Sequence, residues 1–408
     1  MDQKNQTTGI SRRSFVAGTA AGLTAPLIVA PHVLGGPNKE APSDQFGGAL
    51  IGCGGRGGGT FKCLGPGVRL LAQCDVKFKD RADNKTIYSD FRRVLERDDI
   101  DVVAIATHPG WHALISIAAM EAGKDVVCEK PMCRFISEGR AVAEAEKRYG
   151  RVFQIEKKGG YSPSLTRKIF ESGLLKNCDA VYVRRGGFKV KGWSGKVEYR
   201  VEDVPANLDW DMYCGPAPLR PFQKHRNGGS HRGYWDYEGG GLGDMAHHHL
   251  HSVAYEFGRD LTFPTEIIPH APPQHPEACG LWAWCELKYA DGFTLVLESG
   301  EWGDTSGRKT QKTSANDLLA LLTEEDRKKL DELPEPEKLP FFPEAIRQRK
   351  QTASHAERSH HVAAIYHLAN VAFRCGRPLQ FDPATEQIVG DEEANRLVNQ
   401  PMRAPWRL

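Results

Sequence analysis

Ala49-Leu50-Ile51-Gly52-Cys53-Gly54-Gly55-Arg56-Gly57 is the stretch on which the reading of the fold turns. A short apolar segment runs into a Gly52-x-Gly54-x-x-Gly57 spacing. That spacing lets a chain leave a strand in a tight turn and bring backbone N–H groups up to a pyrophosphate. A following helix N-terminus adds a field that favours phosphate. Alone the pattern is weak, because Gly58 and Gly59 follow and a purely structural glycine turn is the competing reading. The next apolar segment, Val68 to Cys74, strengthens it by ending at Asp75. A carboxylate there can accept hydrogen bonds from adenosine ribose hydroxyls and would repel a 2′-phosphate. NAD is therefore favoured over NADP, with Lys77 close enough to soften the preference.

Outward from this core the chain alternates. Asp101 to Ala106 is a continuous apolar run of the kind covered on both faces. Trp111 to Ala122 reads as a helix closed by Gly123, Val126 to Cys128 as a strand, Ser137 to Arg148 as a helix, and Val152 to Glu156 as a strand. Strands and helices in this rhythm predict a parallel sheet with helices on both faces. After about residue 160 the rhythm changes. Ala180 to Arg185, Trp282 to Tyr289 and Thr294 to Glu298 read as strands without regular intervening helices. The expectation is an α/β protein: an N-terminal Rossmann domain over 47–160, then an α/β domain over 161–375 with a large, mostly antiparallel open sheet. Residues 376–408 are read as a tail packing back on the body. The charged, proline-broken stretch 301–350 is read as surface elaboration or an oligomer contact.

With 408 residues, two domains is the natural expectation. Lys plus Arg is 54 against 52 for Asp plus Glu, a balance that gives no electrostatic argument for nucleic acid as partner. The first thirty residues differ from the rest. Lys4, Arg12 and Arg13 precede the uncharged stretch Phe15 to Ala30, the layout of an export signal. Ser11-Arg12-Arg13-Ser14-Phe15 resembles a twin-arginine signal. The expected location is periplasmic or membrane-tethered, with 31–46 as linker and no membrane span in the mature body. None of the ten cysteines lies in a CxxC pair, and buried free thiols are expected.

Two constellations carry chemistry. Glu129-Lys130-Pro131 follows a strand end, where parallel sheets present residues to a ligand. The Lys130 amine can hydrogen-bond a reacting hydroxyl and exchange a proton with it; a surface lysine before a helix-starting proline is the bland alternative. Further on, Glu238-Gly239-Gly240-Gly241-Leu242-Gly243-Asp244-Met245-Ala246-His247-His248-His249-Leu250-His251 allows close backbone approach, with a helix from Ala246 onward. Asp244 and His248 are four apart and share one helix face. His247 and His251 form another such pair, but 247, 248 and 249 point about 100° apart and there is no HExxH motif, so no metal is expected. Thr107, Trp111 and His112 are candidates for the cofactor side. Trp210, Arg226, Tyr237 and His247 join Lys130, Asp244 and His248 as candidates for the substrate, because aromatic faces beside polar donors suit a hydroxylated ring.

The ordered set of motifs resembles the Gfo/Idh/MocA oxidoreductases over nearly the whole mature chain. The likeness rests on the Gly52–Gly57 turn, Asp75, Trp111-His112-Ala113-Leu114, Cys128-Glu129-Lys130-Pro131 and the block around Asp244 to His249. The tail, ending Arg403-Ala404-Pro405-Trp406-Arg407-Leu408, looks like that of exported members. The resemblance implies a Rossmann domain followed by an α/β domain with oligomer contacts, hence a homodimer or homotetramer. It places the family's lysine on Lys130, and its D-x-G-x-H-x-x-D aspartate and catalytic histidine on Asp244 and His248. Ala246 and His251 depart from that pattern. Gly52, Gly54, Gly55, Arg56, Gly57, Asp75, Thr107, Trp111, His112, Glu129 and Lys130 are then expected to hold NAD. The expected activity is hydride transfer between NAD and a secondary carbon of a sugar, polyol or glycoside. The alternatives are glycoside or anhydrosugar cleavage with the same cofactor, and a non-catalytic sugar or nucleotide sensor.

Overall fold

The computed structural model describes residues 45–81, 84–156, 164–174, 180–184, 200–301 and 315–408, with positions 188, 189, 195 and 197 between them. The predicted export signal at 1–30 and nearly all of the 31–46 linker lie outside the described residues. From Phe46 to Leu408 the chain forms one compact unit.

Six short strands make the first sheet: β1 (Phe46–Ile51), β2 (Val68–Cys74), β3 (Ile87–Tyr88), β4 (Val102–Ile105), β5 (Asp125–Cys128) and β6 (Phe153–Ile155). All pair in parallel, in the order β3-β2-β1-β4-β5-β6. Every residue of β4 and β5 is buried, as an unbroken apolar run requires. The helices between them are α1 (Gly57–Lys62), α2 (Phe91–Leu95), α3 (His112–Glu121) and α4 (Ile136–Tyr149). Strand order reverses at β1, so a crevice opens outside the C-terminal ends of β1 and β4, the place where such sheets bind ligands.

The chain continues through α5 (Leu165–Glu171), β7 (Ala180–Arg184), α6 (Trp210–Cys214) and α7 (Gly240–Glu256). It then forms β8 (Glu266–His270), β9 (Trp284–Lys288), β10 (Thr294–Glu298), α8 (Ala315–Leu319), α9 (Glu324–Glu332), α10 (Phe342–Gln348) and α11 (Ala356–Cys375). It closes with β11 (Leu379–Asp382), β12 (Gln387–Ile388) and α12 (Glu392–Val398). The second sheet runs β12-β11-β8-β9-β10-β7, antiparallel except for the β7–β10 pair.

The stretch 376–408, read as a tail packing back on the body, instead supplies β11 and β12 of the second sheet, with β11 paired to β8, and two helices also depart from the sequence reading. Within 301–350, helix α10 is not surface elaboration. Phe342, Ala345 and Ile346 pack with Leu50, Val102, Ala104, Val127 and Val152, closing one face of the first sheet. Three apolar residues in a short charged segment carry too little periodic signal to announce this. Helix α7 begins at Gly240, six residues ahead of Ala246. A helix's first four N–H groups need no intrahelical partner, so glycines are least costly there. Their smallness is also used: a Cβ on Gly239 would lie 2.2 Å from Asn370 Nδ2 of α11.

Helix α11 joins the two halves. Sixteen of its 20 residues are buried, many of them Ala, so α4 and α7 can both pack closely against it. Arg140 of α4 reaches Glu357 at 2.6 Å and Glu386 at 2.6 Å, pinning the same contact electrostatically.

Candidate active site

A cavity of about 420 Å³ lies at the strand-order reversal, between the first sheet and the segment leading into α7. Gly52, Gly54, Gly55, Arg56, Asp75, Thr107, Trp111, Glu129, Lys130 and Asp244 line it. The turn off β1 needs its glycines. Gly52 has φ +91°, and a Cβ there would lie 2.5 Å from the Ala106 carbonyl carbon and 2.6 Å from the Thr107 nitrogen. Gly52→Ala combines a strained backbone with a clash against the chain just after β4, and we expect it to lower stability by about 2–4 kcal/mol in urea unfolding. Gly57 is not on the wall. A Cβ there would sit 2.5 Å from Gly52 O, so its role is close helix–strand packing. Gly54 and Gly55 leave open space where a side chain would be.

Asp75 is fixed by its own neighbours: Cys53 N–H donates to Oδ2 at 2.8 Å and Lys77 N–H to Oδ1 at 3.0 Å. Arg56 sits on the wall with its guanidinium engaged by carboxylates, Nε 3.2 Å from Glu129 and Nη2 2.5 Å from Glu156. Glu129 also accepts from Thr60 Oγ1 at 2.9 Å and from Lys130 N–H at 3.2 Å. The turn, the helix after it and the ends of β5 and β6 are thus tied together by two buried carboxylates and one arginine.

Lys130 is the centre of the arrangement. Its Nζ donates to Asp244 Oδ1 at 2.6 Å and to Asp244 O at 3.0 Å, with the two side chains only 8 % and 5 % exposed. Arg232 approaches the same Oδ1 with Nε at 2.9 Å. Burial works to raise the Asp244 pKa, but the two cations outweigh it and hold the carboxyl below the usual carboxylate range. Glu238 completes the cluster, 3.3 Å from His231 Nε2 and 3.7 Å from Arg232 Nε. His231, Arg232 and Glu238 all face the cavity. His231 and Arg232 lie between the candidates Arg226 and Tyr237, and Glu238 opens the block that runs to His251, but nothing in their spacing distinguished them from their neighbours.

His112 is not on the wall. It is buried with Nδ1 2.6 Å from Pro131 O and Nε2 3.1 Å from Thr107 O, and burial lowers its pKa. It ties the chain after β4 to the chain after β5. His108 does face the cavity. Burial drives its pKa down to about 3, so the ring is neutral, with Nε2 2.6 Å from Tyr213 O.

Of the seven substrate candidates, only Lys130 and Asp244 line the cavity. Trp210 stacks on Tyr213 at 5.0 Å and donates its indole N–H to Arg220 O, inside a small aromatic core with Tyr237. Arg226 is buried against Glu277 at 2.8 Å and over the Tyr234 ring. His247 is fully buried beside His251 and Tyr366. His248 is half-buried on α7, one turn beyond Asp244, and is absent from the described cavity wall.

This architecture, a parallel sheet with an open glycine turn facing an α/β domain across a Lys–Asp pair, is that of the NAD-binding oxidoreductases. A model of the C-terminal alpha/beta domain of the Gfo/Idh/MocA oxidoreductase family matches residues 162–408, and one of its NAD-binding Rossmann fold matches 72–157. The chain belongs to the Gfo/Idh/MocA family. It is 31 % identical over 191 residues to a levoglucosan dehydrogenase of Pseudarthrobacter phenanthrenivorans, covering 46 % of this chain and 41 % of that one. It is 29 % identical over 193 residues to a glycosyl hydrolase family 109 protein of Solibacter usitatus, covering 42 % and 44 %. The match thus spans less than half the length of these curated relatives. In fold it resembles the WlbA dehydrogenase from Bordetella pertussis in complex with NADH and UDP-GlcNAcA, with a TM-score of 0.51 at 15 % identity, covering 83 % of this chain and 99 % of that one.

Proposed function

We propose that the protein is an exported NAD-dependent oxidoreductase that moves a hydride between the nicotinamide and a secondary carbon of a sugar, polyol or glycoside. The observation that carries this reading is the Lys130–Asp244 contact of 2.6 Å, in the same cavity as Gly52, Gly54 and Asp75. The open backbone at Gly54 and Gly55 fits a pyrophosphate, and Asp75 fits a ribose. A bound nicotinamide supplies the hydride donor or acceptor.

The chain's own groups handle the proton and the alignment. Lys130 gives or takes the proton at the reacting hydroxyl oxygen. Asp244 holds the amine in place, and Arg232 keeps Asp244 ionised. His231 and Glu238 supply polar contacts to the rest of a hydroxylated substrate. Asp75 supports NAD over NADP. Replacing it by Ser should weaken NAD binding about tenfold and narrow the NAD to NADP affinity ratio, as read by calorimetric titration of both nucleotides. Equal NAD affinity in the variant would remove the basis for that preference.

A second reading has one observation behind it. The His231–Glu238 pair puts another acid–base set in the cavity, suited to a carbon next to the one served by Lys130, and so to glycoside or anhydrosugar cleavage. Mass spectrometry of protein purified without added cofactor, then incubated with mixed sugars and glycosides, separates the two. A product differing by two hydrogens supports the oxidoreductase, whereas cleavage with no accumulated NADH supports the alternative. Binding of NAD without any turnover across the panel would leave only a sensor role. The Arg12-Arg13 sequence supports export by the twin-arginine route to a periplasmic or tethered location. A homodimer or homotetramer through the second sheet is part of the same proposal.

A further inference from the structure

The run Arg403-Ala404-Pro405-Trp406 contributes no residue to the cavity wall, yet it is held against that wall from behind. Arg403 closes the C-terminal end of α6. Its Nη1 donates to Asp211 Oδ2 at 2.9 Å, its Nη2 to Asp211 O at 2.9 Å, and its Nε to Gly215 O at 3.1 Å and Ala217 O at 3.2 Å. The Arg403 backbone N–H adds a bond to Pro216 O at 2.9 Å. Asp211 O also accepts from the Gly215 N–H at 2.9 Å, and one planar guanidinium reaches several acceptors of this turn at once.

Three residues on, the Trp406 ring meets Trp111 edge-on at 4.6 Å and Phe91 at 6.4 Å, with the Arg92 guanidinium over it at 5.4 Å. Trp111 is itself 3 % exposed and donates its indole N–H to Met212 O of α6 at 2.9 Å. The fit is tight on that side too, since a Cβ on Gly215 would lie 2.3 Å from the indole. Trp111 is therefore clamped between α6, Phe91 and Trp406. Trp111, Phe91, Met212 and Tyr213 all line the cavity together with Asp75 and Val76.

We propose that the Arg403–Trp406 segment is a brace that fixes the position of Trp111 and α6, and through them the width of the cavity at its Asp75 end, so that it sets the affinity for the adenosine half of the nucleotide. The proposal rests on the reading of the cavity as a dinucleotide site. Aromatic packing of this kind is specific in geometry, and a cavity wall without its backing relaxes into the space that is left. Trp406 is thus a positioning residue that acts through Trp111 and touches no ligand.

The test uses the full chain and two probes, NAD and ADP, titrated calorimetrically at a temperature where every variant is folded. Trp406→Ala should raise the dissociation constants of both NAD and ADP about tenfold, with kcat at saturating nucleotide within twofold of wild type. Trp406→Phe, which keeps a ring against Trp111, should restore most of the affinity. Arg403→Lys should lose affinity in the same direction, because one ammonium cannot span the acceptors that the guanidinium does. Ile388→Ala, in the edge strand β12 of the second sheet, is the control: it lowers thermal stability without weakening either nucleotide. Wild-type affinity in Trp406→Ala, with only its melting temperature lowered, overturns the brace while leaving the dinucleotide site standing. Failure of the wild-type protein to bind NAD or ADP at all overturns the dinucleotide reading and the brace with it.

Discussion

Lys130→Met is expected to lower kcat/KM on the protein's own substrate by about 10²–10⁴-fold while leaving the fold and NAD binding close to wild type. Methionine keeps the length and much of the apolar stem of lysine but has no proton to give or take. The substitution leaves Asp244 with a partner, because Arg232 Nε still lies 2.9 Å from the same carboxylate oxygen. Removing one member of a buried ion pair usually strands the other charge; here the second cation prevents that. The measurement is steady-state turnover beside a nucleotide titration of the same preparation. Turnover near the wild-type rate with bound NAD would sink the assignment of Lys130 as the acid/base.

The largest expected effect on stability comes from the other side of the contact. Asp244→Ala removes the common partner of Lys130 and Arg232, whose cationic nitrogens lie 2.6 Å and 2.9 Å from its Oδ1. Buried Lys130 would then lose its carboxylate, while Arg232 keeps Glu238 Oε2 at 3.7 Å from its Nε, and a loss of about 3–5 kcal/mol in urea unfolding is expected. The double variant Lys130→Met with Asp244→Ala should recover part of that loss, because one stranded charge is gone. A double variant as unstable as the sum of its parents would show that the pair is not coupled. The pH dependence has a definite sign. Asp244 titrates below its ordinary value in the fold. Its contribution is therefore fully present above the unfolded carboxyl pKa of about 3.9 and is lost as pH falls through the lower folded value. The acid limb of the stability profile below about pH 4 should shrink in Asp244→Ala.

Much of the site was visible in the chain because its chemistry is local. The glycine turn, Asp75 and Glu129-Lys130-Pro131 each stand directly after a strand, and a parallel sheet brings all its strand ends to one edge. The candidates from the 210–251 region fared differently. An aromatic, an arginine or a histidine reads the same in sequence whether it faces a ligand or fills a core. Trp210, Tyr237 and Arg226 turned inward to an aromatic cluster and a buried ion pair, while Arg232 and Glu238 in the same stretch turned to the cavity. His248 shares a helix face with Asp244 by spacing, yet only Asp244 of the two lines the cavity.

Residues 46–156 determined by themselves that a parallel nucleotide-type sheet would form, and that an amine and a carboxylate acceptor would stand at its edge. Hydrophobic period, glycine spacing and strand-end position are properties of short segments, and backbone sterics enforce them wherever the segment sits. Only the tertiary structure decided that α10 would close the first sheet, that Arg232 would share Asp244 with Lys130, and that Arg403 and Trp406 would back the cavity wall. Those contacts join residues far apart in the chain, and their partners are chosen by shape and charge once the core has assembled. No local pattern carries that information.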